Sequence, residues 1–145
     1  MIHTFLIVAA LLWQTAKPDY DVRAAIVGRW SADKLSMIEA MPEYRGIEQE
    51  AARKAFKDAF LKSMPDTTFE FRETTFTLTL GANETVVDYR VTKVEGAQVL
   101  IRTTERANNG SVVEDEVEGE FMNQDTLTLM KKGERLAFRL KRVMP

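Results

Sequence analysis

The chain has no cysteine and a single histidine, His3. Without cysteine there is no disulfide, no thiol nucleophile and no thiolate metal site. His3 stands in an N-terminal segment whose removal is expected. A mature chain lacking both residue types cannot assemble a Ser-His-Asp triad, a Cys-His pair or a standard zinc site. Catalysis would have to run on carboxylates, Lys or Tyr alone, and the expectation is no enzyme, no metal and no cofactor. Basic surplus is missing too. The 20 Lys and Arg are outnumbered by 22 Asp and Glu, well mixed, for a net charge of −2, so no phosphate-tracking face is expected and nucleic acid is not expected as a partner. Long apolar runs are also absent. The longest, Phe5 to Trp13, has nine residues, against the ~20 that span a bilayer.

That run has the length of the apolar core of a secretory signal, and Ala16 offers a small residue for cleavage before the polar Lys17-Pro18-Asp19. It predicts a signal peptide over 1–16 and an exported protein, periplasmic or secreted. Met1 to Thr4 carries no Lys or Arg, and Gln14 is poorly suited to its place before the cut, so the alternative is a buried N-terminal strand or helix. With no cysteine to lipidate, no stable membrane insertion is expected once the signal is gone. The 145 residues fit one domain, expected over 22–145. A chain of this size buries roughly two-thirds of its unfolded surface, enough for a core without staples.

What is present divides by period. From Asp33 to Met64, Ile47, Ala51, Ala55 and Ala59 recur every four residues, and Ala52, Phe56, Phe60 and Met64 do the same one position over. This predicts a helix from Pro42 or Glu43 to Ser63, with Pro42 in its first turn and Pro65 stopping it. A shorter helix, Lys34 to Met41, is predicted before it, N-capped by Asp33. The insert over 33–64 either lies as a lid over a cavity, bringing Phe56 and Phe60 to a ligand, or simply packs on the sheet.

From Thr67 onward the period is two. Phe69 and Phe71, Phe76 to Leu80, Val87 to Val91, Val99 and Ile101, Val113 to Phe121, Leu127 and Leu129, and Leu136 to Leu140 alternate with polar residues. Turn signals such as Gly81-Ala82-Asn83, Glu95-Gly96, Asn108-Asn109-Gly110 and Lys132-Gly133 separate most of them. With Ile26 to Ser31 this makes about eight consecutive antiparallel strands. The predicted fold is all-β, an up-and-down barrel with a helical insert after strand one. On the fifth strand of the meander, Glu114, Glu116, Glu118 and Glu120 share one face. They would stand ~7 Å apart and suit a solvated face with cross-strand Lys and Arg partners better than a metal comb.

Gly28-Arg29-Trp30 on a first strand, the meander, and a basic residue on the last strand resemble the calycin superfamily, which includes lipocalins and fatty-acid-binding proteins. The run from Gly28 to Val143 is similar to poorly characterised bacterial lipocalin-like domains. The resemblance implies that Trp30 packs under a basic residue at the barrel's closed end. Parity with Phe138 and Leu140 makes that residue Arg142, with Gly28 allowing close backbone approach. The lipocalin disulfide and the Arg-x-Tyr carboxylate clamp of fatty-acid-binding proteins have no counterpart, so a ligand class does not transfer.

Two functional expectations follow. One is a binding protein holding a small, largely apolar molecule in a cavity of several hundred Å³ lined by Phe76, Tyr89, Ile101, Phe121 and Phe138. Asp115, inward by parity with Val113 and Val117, would meet the ligand's polar end together with Tyr89. Alternatively Asp115 forms a salt bridge with Lys131 or Arg102, or a bulge turns it outward. The other expectation is a structural or interaction module of the bacterial envelope with a filled barrel, whose protein partner the residues do not name.

Overall fold

The computed structural model describes residues 17–134 and 136–144. The predicted signal peptide and His3 lie outside the described residues. Eight strands run β1 (Gly28–Ala32), β2 (Thr67–Phe71), β3 (Thr75–Leu80), β4 (Asn83–Glu95), β5 (Gln98–Arg106), β6 (Val112–Asn123), β7 (Thr126–Lys131) and β8 (Phe138–Arg142). Each pairs antiparallel with its sequence neighbours, and β1 pairs with β8, so the sheet closes into a barrel. The period-two pattern is what permits this. On β2, Thr67, Phe69 and Phe71 are buried while Thr68 and Glu70 are not, and on β5 Val99, Ile101 and Thr103 point inward in the same way. Closure leaves no open sheet edge. Tight turns hold it together: Gly81 and Gly96 take φ of 60° and 59°, a region that costs glycine little.

Among the described residues four helices accompany the barrel: α1 (Val22–Ala25), α2 (Lys34–Ala40), α3 (Pro42–Arg45) and α4 (Glu50–Ser63). The Asp33 carboxylate caps α2 by accepting from Ser36 N at 3.2 Å, and α2 buries Met37 and Ile38. Three features depart from expectation. First, an unpredicted helix, α1, precedes the first strand, which begins at Gly28 rather than Ile26. Asp21 accepts from the backbone N–H groups of Arg23 and Ala24, and this cap turns Val22, Ala25 and Ile26 into the barrel's end as a plug. Second, the long predicted helix breaks at 46–49. Gly46, a poor helix former, closes α3 by donating to the Pro42 carbonyl, and the chain is extended again at Gln49. Third, the alanine stripe of α4 faces water: Ala51, Ala52, Ala55 and Ala59 are all exposed. The half-covered face instead carries Arg53, Phe56, Phe60 and Leu61, with Phe56 against Tyr44 of α3 at 6.1 Å between ring centroids.

The antiparallel meander assigns every connection to one of two ends. The helical insert and the β3–β4, β5–β6 and β7–β8 turns gather at one end. Helix α1, the remaining turns and the C-terminal segment gather at the other.

Candidate functional site

The second end is sealed. Trp30 is fully buried; its indole Nε1 donates to the Ile26 carbonyl at 3.0 Å, and Phe121 packs edge-on at 6.0 Å. Tyr20 covers Phe121 from outside, also at 6.0 Å. Over the indole lies the Arg142 guanidinium, 4.3 Å from the ring centre. Its Nε donates to Asp125 Oδ1 at 3.0 Å, its Nη1 to the Val27 carbonyl at 3.1 Å, and its Nη2 to the carbonyls of Ala25 and Gln124. Gly28 leaves the room: a Cβ there would stand 2.7 Å from Arg142 Nη1.

At the first end the interior is open. A cavity of about 380 Å³ enters the barrel there. Its floor and walls are aromatic and aliphatic: Phe69, Phe71 and Phe76, which stack on one another with centroids 5.0–6.4 Å apart, then Leu78, Val87, Ile101, Val117, Leu129 and Phe138. The polar residues sit toward the mouth, where Glu105, Asp115, Lys131 and Glu134 line the opening. Lys131 Nζ lies 3.4 Å from Asp115 Oδ2 and 4.0 Å from Glu134 Oε1. Thr103, almost wholly buried, reaches the Asp115 carbonyl at 3.5 Å, the outer limit of a hydrogen bond.

The structure brings together four of the expected ligand contacts. Phe76, Ile101, Asp115 and Phe138 all line the cavity. Tyr89 and Phe121 are buried but stand outside the lining. The Tyr89 hydroxyl donates to the Arg72 carbonyl, and burial, with Glu73 nearby, pushes the phenol above its ordinary range. Phe121 belongs to the sealed end. Phe56 and Phe60 are on α4, and no described residue of the helical insert lines the cavity. The expected salt bridge of Asp115 forms with Lys131, while Arg102 pairs with Glu116 across the outer face. The lining that sequence reasoning passed over, Phe69, Phe71, Val87 and Leu129, shares the inward parity of the residues it named, and carrying that parity strand by strand would have found it.

On the outer face Glu116 accepts from Arg102 at 3.2 Å and from Lys132 at 3.3 Å. These hydrogen bonds hold its carboxyl below the usual glutamate range. Lys34 does the same for the exposed Asp66, just after the helical insert, at 2.9 Å. Among the described residues no group of three or more Asp, Glu, His or Cys is placed to hold a metal ion. No helix among them is long and apolar enough to cross a membrane. Comparison with protein-family models, curated proteins and solved structures found no match.

Proposed function

We propose that this protein is an exported, lipocalin-like binding protein that carries a small, largely apolar molecule inside its barrel. The observation behind this reading is the cavity of about 380 Å³, apolar within, open at one end and backed by a sealed end. Eight strands enclose just enough room either to be filled by side chains or to hold one small ligand, and a volume of this order belongs to ligand sites. A filled barrel serving only as a structural or interaction module would leave no such space. The polar groups inside are occupied in holding the structure: the Tyr89 phenol is tied to a backbone carbonyl and Asp115 to Lys131. A non-catalytic role suits them. Export rests on the apolar run from Phe5 to Trp13 and the small residue that follows it.

The test is occupancy. Native mass spectrometry of the purified protein is expected to show a bound small molecule, or uptake of N-phenyl-1-naphthylamine with a rise in its emission. Val117→Phe, which places a ring in the cavity, is expected to abolish that uptake while the strand signature in circular dichroism is unchanged. Equal uptake by both proteins would sink the reading.

A further inference from the structure

The cavity changes character along its depth in a way that selects the charge of what enters. Below the level of Ile101 its walls are hydrocarbon. At the mouth Glu105, Asp115 and Glu134 face a single ammonium, that of Lys131, leaving a surplus of two negative charges among the described lining residues. Lys131 is already engaged by Asp115 and Glu134. At the boundary between the two zones sits the Thr103 hydroxyl, 92% buried and with its hydrogen aimed along a 3.5 Å contact to the Asp115 carbonyl. The residue lines the cavity, and a hydroxyl that donates still has lone pairs with which to accept. Beside the two hydroxyls of Thr85 and Thr103, which can accept as well as donate, the charged groups of this lining other than Lys131 offer only acceptors to a guest.

Building on the binding function proposed above, we infer that the ligand is a protonated amine on an apolar tail: an alkyl- or arylalkylammonium rather than a carboxylate. The tail fills the space between Phe69, Phe76, Ile101 and Phe138. The ammonium, which has only donors, meets Thr103 Oγ and the carboxylates of Asp115 and Glu105. A fatty acid of the same length would bring its carboxylate to the same level, where it would face the surplus of two like charges among the described lining residues. Like charges within a few ångströms disfavour binding even where water screens them.

Titration calorimetry at pH 7 with decylammonium, decanol and decanoate separates the possibilities. Decylammonium is expected to bind about tenfold or more tighter than decanoate, with decanol between them, and the gap is expected to shrink as salt is added. Lys131→Gln, at a half-exposed position, should widen the gap. The triple change Glu105→Gln, Asp115→Asn, Glu134→Gln should close or reverse it. Decanol bound with decanoate as tight as decylammonium, or tighter, overturns the charge selection and leaves the binding function standing. Failure of all three to bind overturns both.

Discussion

Arg142 spends four guanidinium donors and one face on the sealed end, reaching three backbone carbonyls, one carboxylate and an indole. Lysine has the charge but not the planar fork. Arg142→Lys is therefore expected to lower stability by about 2–3 kcal/mol, read as a shift in the urea midpoint at constant slope. Trp30→Ala, which empties the space beneath it, is expected to cost about 3–5 kcal/mol without changing the affinity of a ligand in the cavity. A normal midpoint with lost binding would move Trp30 to the ligand site. On the outer wall the sign of a pH effect is fixed. Glu116 has its carboxyl lowered in the folded state by Arg102 and Lys132, so the unfolded chain binds its proton first as pH falls. The stabilisation is complete above the usual glutamate range and disappears as pH drops through the lowered folded value. Glu116→Gln is expected to flatten the acid limb of a plot of melting temperature against pH. That Trp30 meets a basic residue of the last strand was implied by the calycin resemblance, and parity with Phe138 and Leu140 singled out Arg142. The Arg142 hydrogen bonds were not legible, since three of its acceptors are backbone carbonyls and these carry no sequence signature.

At the scale of elements, strands and helices were not equally readable. A strand's period of two survives any partner, because the sheet fixes which side faces in. A helix's stripe states only that one side is more apolar, and α4 shows the consequence: its alanines carried the four-residue repeat, yet they bury too little area to decide the packing, and the helix sets Phe56 against Tyr44 of α3 instead. With no wholly buried side chain, α4 is expected to be the least protected regular element in amide hydrogen exchange, exchanging well before β5 and β6. Comparable protection would mean that α4 is covered in solution by something further. Helix α2 is held better. Asp33 caps it and also meets Lys141 Nζ of β8 at 3.0 Å, so Asp33→Ala is expected to cost about 1 kcal/mol or somewhat more. Helix α1 escaped notice because four residues are too few to establish a period, and its signal is one capping aspartate, Asp21.

The whole molecule divides its labour between the two ends of the barrel. At one end α1, Trp30, Phe121 and Arg142 join the start and finish of the chain, a contact between residues more than a hundred positions apart. At the other end the same inward parity that fills the core leaves a cavity, because the side chains of β2 to β8 do not meet across it. Sequence parity could list who faces in. It could not give the distance across the barrel, which depends on strand tilt and stagger, and so it could not tell a filled interior from an open one. If the two ends are independent, changes at each should combine without interaction. Trp30→Phe with Val117→Phe is expected to shift stability by the sum of the single changes, within about 0.5 kcal/mol. Ligand uptake in the double variant should match that of Val117→Phe alone. A larger coupling would mean that what enters the mouth is felt at the seal, and that closure of β1 on β8 responds to the cavity's contents.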